Sequence, residues 1–199
     1  MNAGRNASPG SVRIIGGRWR GTRLPVPDKP GLRPTSDRVR ETLFNWLQMQ
    51  LPGAQVLDLF AGSGALGLEA VSRGASQAQL VEMDQGLAQA LRVATQRLNA
   101  AEQVAIHGVD ARRFLADWTG PKFDIAFVDP PFAAGLWSEV LSMLMGQMTA
   151  DGWLYVESPA DLAPDPGPEW ALHRENRTRE VRYALFRRGK IEPSHNSGE

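Results

Sequence analysis

Apolar residues recur along this chain with two periods. Val39, Thr42, Leu43, Trp46 and Leu47 fall at i, i+3, i+4, i+7 and i+8, one face of a helix. Thr35 or Ser36 can cap its start by accepting from a backbone N–H, and Pro52-Gly53 ends it. Arg38, Arg40 and Glu41 lie off the stripe. Beyond this helix, short apolar runs alternate with amphipathic segments. Gln55–Leu59, Gln77–Glu82, Val104–His107, Phe123–Val128 and Trp153–Glu157 read as strands. Ala65–Arg73, Gln85–Ala100, Ala111–Trp118 and Leu136–Met148 read as helices, the second with Leu87, Ala90, Leu91, Ala94 and Leu98 on one side. That alternation predicts an α/β fold, a mostly parallel sheet with helices on both faces. After the proline-rich stretch 164–168, Trp170–Glu175 and Glu180–Arg187 predict a terminal antiparallel pair, bringing the sheet to seven strands. No internal repeat is visible.

The N-terminal end follows a different pattern. Two short extended runs between Val12 and Leu24 flank Gly16-Gly17, a hairpin signal, and four prolines make 25–34 a loop. Residues 1–11, rich in Gly, Asn, Ser and Pro, and the last residues, 189–199, read as disordered tails. The expected organisation is thus a small extension, 12–34, ahead of a main domain, 35–188.

Charge changes the picture of that extension. The whole chain is formally neutral, yet residues 1–40 hold nine Lys/Arg against Asp28 and Asp37, leaving +7 there and −7 on the rest. Eight of the nine cations are arginine, which suits bidentate contact with phosphates and base edges. Trp19, between Arg18, Arg20 and Arg23, can stack on a base while the guanidinium groups hold phosphates, or can pack the hairpin onto the domain. The chain has no cysteine, and its three histidines lack metal-ligand spacing. No apolar run approaches the ~20 residues a membrane span needs, and the start lacks the apolar stretch of a signal peptide. These features predict a cytoplasmic protein with no metal and no membrane contact.

Two motifs carry candidate chemistry. The first runs from strand into helix as Val56-Leu57-Asp58-Leu59-Phe60-Ala61-Gly62-Ser63-Gly64-Ala65-Leu66-Gly67, with Gly62, Gly64 and Gly67 fitting G-x-G-x-x-G. Glycines there admit a ligand close to the backbone and let the helix pack tightly. Glu82 ends the next strand, where an acid can accept both hydroxyls of a ribose. The glycine motif alone does not choose between a dinucleotide and S-adenosylmethionine. Two features favour the latter: Asp58, placed to hold a cationic amino end, and Asp110, placed to accept from an adenine amine.

The second motif is Asp129-Pro130-Pro131-Phe132, at the carboxyl end of the strand Phe123–Val128, where open α/β sheets bind ligands. An exocyclic amine of a nucleobase is a poor nucleophile because its lone pair is delocalised into the ring. Hydrogen bonds from that amine to the Asp129 carboxylate and the Pro130 carbonyl would draw the nitrogen towards tetrahedral geometry. Pro130 and Pro131 stiffen the turn and preset both acceptors. Phe132 can stack on a flipped base.

The chain resembles the bacterial 16S rRNA guanine-N2 methyltransferases of the RsmD family, which are class I, Rossmann-like enzymes. The residues that carry the resemblance are 13–21, 32–47, Asp58 through Glu69, Asp129 through Phe132, and Tyr155-Val156-Glu157; the match covers roughly 12–188 in order. The resemblance implies S-adenosylmethionine-dependent methylation of guanine N2 in 16S rRNA, on the small ribosomal subunit or an assembly particle, by a monomer. Carried over, Asp58, Phe60, Gly62, Ser63, Gly64, Glu82, Met83, Asp110 and Ala111 would line the cofactor site, with Thr35 and Arg38 closing it. Asp129, Pro130, Pro131 and Phe132 would hold the base, Phe132 standing where adenine-modifying relatives commonly carry Tyr. Arg13, Arg18, Trp19, Arg20, Arg23 and Arg33 would contact RNA. Other readings are an adenine-N6 or cytosine-N4 DNA methyltransferase, a protein glutamine methyltransferase, and a non-catalytic RNA-binding assembly factor. The short chain counts against the first, Asp129 in place of Asn against the second, and the intact pocket motifs against the third.

Overall fold

The computed structural model describes residues 10–26 and 35–189; most of both expected tails, and residues 27–34 of the expected loop with Arg33, lie outside the described residues. The elements are β1 (Gly10–Arg13), β2 (Arg23–Val26), α1 (Asp37–Trp46), β3 (Gln55–Asp58), α2 (Ala65–Ser72), β4 (Gln77–Val81), α3 (Gln85–Arg97), β5 (Val104–His107), α4 (Ala111–Asp117), β6 (Phe123–Val128), α5 (Trp137–Leu144), β7 (Met148–Pro159), β8 (Trp170–Arg177) and β9 (Val181–Arg188). Seven strands form one sheet in the order β5-β4-β3-β6-β7-β9-β8, and β1 pairs with β2 apart from it. Strands β3 to β7 pair in parallel, while β9 runs antiparallel to both β7 and β8. The order reverses between β3 and β6, the switch point beside which such sheets bind ligands.

Alternation along the strands divides the core into two layers. Val56, Ile125, Phe127, Trp153 and Tyr155 face one side, with Leu43 and Phe44 of α1, Leu68 of α2 and Leu91 of α3. Leu57, Ala126, Val128, Leu154 and Val156 face the other, with Phe114 of α4 and Val140 and Leu141 of α5. The expected elements are all present, with shifted ends. Helix α5 stops at Leu144 because a 3₁₀ turn, Met145–Gln147, follows, and Met148 already opens β7. Ser36 caps α1, its side chain accepting from Val39 N–H.

Three expectations need correction. Gly10 and Ser11 belong to β1 rather than to a tail, and their partners Val26 and Pro25 belong to β2 rather than to the expected loop 25–34. Gly16-Gly17 is not a two-residue hairpin turn; the connection runs from Ile14 to Thr22 through a 3₁₀ turn at Gly17–Trp19. And Arg40, expected off the apolar stripe of α1, is fully buried.

Arg40 and the glycine pair share one cause. Glu69, fully buried in α2, accepts from the backbone N–H groups of Ile15 and Gly16, both at 2.7 Å, and from Arg73 Nε at 2.7 Å. Arg40 lies across it, Nη1 3.6 Å from Glu69 Oε2, while its Nη2 donates to the Arg13 carbonyl at 2.8 Å and to Asp37 at 2.7 Å. The Ser72 hydroxyl donates to the Gly16 carbonyl and accepts from Trp19 N–H. Gly17 has φ +73°, and a Cβ there would lie 1.9 Å from the Ser72 carbonyl oxygen, so only glycine fits. The N-terminal segment is thereby fixed to the outer side of α2, and its Ile14 and Leu24 join the main core.

Candidate active site

The carboxyl ends of the parallel strands bring the two motifs together. Asp58 closes β3, and the chain then turns through Gly62 and Gly64, both left-handed at φ +52° and +76°. Gly67 serves close packing: a Cβ there would meet Leu80 at 2.6 Å and the Asp58 Cβ at 3.2 Å. Its N–H donates to Asp58 Oδ2 at 2.8 Å. Burial pushes the Asp58 carboxyl up to about 7, the Gly67 N–H opposing and the charge of Glu82 adding to the rise. Glu82, one residue past β4, accepts from Gly62 N–H at 2.9 Å through one oxygen and from Asp84 N–H at 2.8 Å through the other. Its carboxylate is thus oriented by backbone rather than left to find a rotamer.

Asp110 caps α4, accepting from Arg112 N–H at 2.9 Å, and Arg112 also engages it through Nε at 3.0 Å and Nη2 at 3.1 Å. The Arg112 hydrogen bonds hold its carboxyl below the usual range. An amine reaching Asp110 would therefore share it with Arg112. Ala111 is buried; Phe60 and Ser63 are half-buried, Phe60 packing against the α4–α5 layer; Met83 is 68% exposed.

Asp129 follows β6 directly and is half-buried. Burial, then the charges of Glu157 and Asp58, push its carboxyl well above the ordinary range. Pro130 is buried and Pro131 exposed. Phe132 opens a 3₁₀ turn and remains 39% exposed, its ring centroid 5.9 Å from that of Trp137. An exposed aromatic beside a strand-end carboxylate offers a stacking face and a hydrogen-bond acceptor to the same planar group.

One residue without an assigned role completes the edge. Glu157 is 5% exposed, and its Oε1 accepts from the Thr35 hydroxyl at 2.9 Å and the Tyr155 hydroxyl at 2.8 Å. Its carbonyl accepts from Trp137 Nε1 at 2.7 Å. Thr35 is thus held against the strand ends, whereas Arg38 is exposed on α1. The signal for Glu157 was available, since a glutamate closing an apolar run such as Trp153-Leu154-Tyr155-Val156 is seldom buried without a task.

The arginines of the extension stand elsewhere. Trp19 is tied to Ser72 at the far end of α2, and Arg18 bonds Gln103, which precedes β5. Helix α2 has eight residues, so about 12 Å of helix separates them from the glycine turn. Trp19 is half-buried against the core with the Arg18 guanidinium 4.2 Å over its ring, so packing is one of its uses. Arg23 borders a cleft of about 390 Å³ with Trp19, Arg97 and Asn99. Arg13 and Arg20 are exposed, Arg13 lying 3.9 Å from Asp37. Among the described residues no group of acids and histidines is arranged to hold a metal, and no helix is long and apolar enough to cross a membrane.

A family model described as conserved hypothetical protein 95 matches residues 12–187. Among curated proteins, the chain is 47% identical over 191 residues to ribosomal RNA small subunit methyltransferase D of Escherichia coli, covering 94% of this chain and 96% of that protein. It is 40% identical over 181 residues to the protein of the same name from Haemophilus influenzae, covering 89% and 94%. Among solved structures, yhhF from Escherichia coli, a candidate methyltransferase by its description, superposes with a TM-score of 0.83 at 45% identity, covering 90% of this chain and 99% of that one. The fold is the Rossmann-like class I methyltransferase fold, with the small N-terminal hairpin added.

Proposed function

The chain belongs to the conserved hypothetical protein 95 family, that of the ribosomal RNA small subunit methyltransferases D, and on that premise we propose that it methylates the exocyclic N2 of a guanine in 16S rRNA. The methyl donor is S-adenosylmethionine, and the substrate is the small ribosomal subunit or an assembly particle in the cytoplasm. One observation carries the reading: the glycine turn after β3 and Asp129-Pro130-Pro131-Phe132 after β6 stand on neighbouring strands at one sheet edge.

The residues present suit that cofactor. Two left-handed glycines leave room at the backbone, and carboxylates at Asp58, Glu82 and Asp110 face the same edge in place of a phosphate cradle. Gly62, Ser63 and Gly64 would seat the amino-acid end, Glu82 the ribose hydroxyls, and Asp110 and Ala111 the adenine, with Phe60 and Met83 alongside and Thr35 and Arg38 towards the opening. When bound, the cofactor supplies an electrophilic methyl group on a sulfonium. The chain's own part is positioning. The Asp129 carboxylate and the Pro130 carbonyl accept the two amine hydrogens, and Phe132 stacks on the ring.

The raised Asp58 carboxyl gives this assignment a pH signature. The cofactor is cationic at its sulfonium and ammonium, so it favours the ionised form of Asp58, and binding below the titration releases a proton. Affinity should rise by about tenfold between pH 6 and 8 and level off above. Calorimetric titration of wild type and Asp58→Asn checks it: a flat wild-type profile refutes the role, and the variant should lose the slope.

Contact with rRNA follows from charge and position. Arg13, Arg18, Arg20 and Arg23 are exposed on the extension. A large, rigid RNA particle can reach both the far end of α2 and the strand-end site. Replacing Arg18, Arg20 and Arg23 by Ala should weaken binding and lower the slope of log affinity against log salt by about 2–3. An unchanged slope in a filter-binding titration removes the extension from the phosphate contact. Transfer of labelled methyl to small subunits lacking the modification tests the function as a whole.

A further inference from the structure

We propose that Glu157 is a positioning residue for methyl transfer, paired with Asp129 across β6 and β7, and that the pair takes up the proton which the methylated amine must lose. The inference rests on the amino-methylation reading above.

Register places the two side by side. Phe127 pairs with Tyr155 and Val128 with Val156 in parallel, so the next step along both strands brings Asp129 beside Glu157, with backbones about 4.8 Å apart. Side chains alternate, and Phe127 and Tyr155 lie in the layer of α1 to α3 while Val128 and Val156 lie in the other. Asp129 and Glu157 therefore share the face of Phe127 and Tyr155. Asp58, paired with Phe127 on β3, lies on that face too. A buried carboxylate normally has a cation. Here, among the described residues, Glu157 has two hydroxyls instead, from Thr35 and Tyr155, and no cation pairs with Asp129. Arg40, the fully buried guanidinium of α1, is committed to Asp37 and Glu69. The groups that face the pair are Asp58 on β3, Tyr155 on β7, Tyr183 on β9 opposite Glu157, and Thr35 ahead of α1.

Such an arrangement is costly for a resting protein and useful in this reaction. The amine lone pair forms the N–C bond as the S–C bond breaks with its electrons to sulfur. The nitrogen then bears a positive charge, and the sulfonium charge that had stabilised the carboxylates is gone. The N–H electrons return to nitrogen as Asp129 takes the proton. Glu157 beside it raises the proton affinity of Asp129 at that moment, and the Tyr155 hydroxyl, by stabilising the Glu157 anion, keeps that charge in place until the transfer. Asp129 is the residue that touches substrate; Glu157 acts through it.

The test uses pH profiles with opposite signs. Glu157→Gln keeps an oxygen for Thr35 and Tyr155 but removes the charge, so the acid limb of kcat should move to lower pH by about one unit. Tyr155→Phe removes a donor to the Glu157 anion, so the limb should move to higher pH. The second readout needs no turnover. Both carboxyls are raised in the folded state, so the stability they contribute is complete below their unfolded values and is lost as pH rises through the folded ones. The melting temperature of the protein alone should fall with rising pH in wild type, and less steeply in Glu157→Gln. Unmoved acid limbs in both variants, or a Glu157→Gln melting profile parallel to wild type, overturn the pairing. Loss of methyl transfer to every RNA by wild type would instead strike the reading it rests on and leave the melting comparison intact.

Discussion

Asp129→Ala should reduce methyl transfer by at least about 10²–10³-fold, the loss seen when a preset polar group at a reacting centre is removed, while changing cofactor affinity by no more than a few-fold. Asp129 follows β6 while the glycine turn that would seat the amino-acid end of the cofactor follows β3, so different strand ends carry the two functions. The alanine variant keeps the Pro130 carbonyl and the Phe132 ring, so a base can still bind, but its amine faces one acceptor instead of two. Loss of a half-buried carboxylate with no described cation partner should leave the fold intact and make it somewhat more stable at neutral pH. Single-turnover transfer measured beside calorimetric cofactor binding checks this. A variant that turns over within tenfold of wild type removes Asp129 from the chemistry.

The largest effect on folding is expected from Glu69→Ala, which should cost about 3–5 kcal/mol. The substitution leaves the Arg40 guanidinium buried without its carboxylate and strips the acceptor from Ile15 N–H, Gly16 N–H and Arg73 Nε. Arg40 is already thinly satisfied, since among the described residues its Nε and Nη1 have no hydrogen-bond partner. In a chain of this length the loss corresponds to a fall of roughly 10 °C in Tm. Because Glu69 fixes the N-terminal segment to α2, limited proteolysis should cut within residues 10–26 before the domain itself. An unfolding free energy that falls by less than about 1 kcal/mol in denaturant titration would show that the ion pair is replaceable by water.

Both residues show where the sequence speaks and where it falls silent. The strand-end carboxylates Asp58, Glu82, Asp110 and Asp129 could be found from the chain because each follows an apolar run, and parallel sheets collect such ends on one edge. Seven strands, mostly parallel with an antiparallel pair at the end, followed from alternation; that β9 rather than β8 joins β7 did not. Arg40 and Glu69 could not be read in this way. Period alone puts an arginine of α1 on the solvent side, and only the segment Ile14–Trp19, folded over α2, turns that side into interior. The same docking explains Gly16-Gly17, whose spacing imitates a hairpin turn but whose task is close approach to Ser72. Trp19 and the arginines around it suggested RNA by composition, yet composition does not reveal that this turn lies a helix length from the strand-end site. Glu157 belongs with Tyr155 to the stretch that resembles the family, and its place beside Asp129 emerges only from the β6–β7 register.

Mass spectrometry of nucleosides and nuclease fragments from 16S rRNA, after incubation of purified protein and labelled S-adenosylmethionine with small subunits from cells lacking the enzyme, identifies the atom that receives the methyl group. Label is expected in N2-methylguanine at a single position, and is absent with Asp129→Ala. Label in N6-methyladenine or N4-methylcytosine, or in ribosomal protein, would overturn the guanine-N2 assignment.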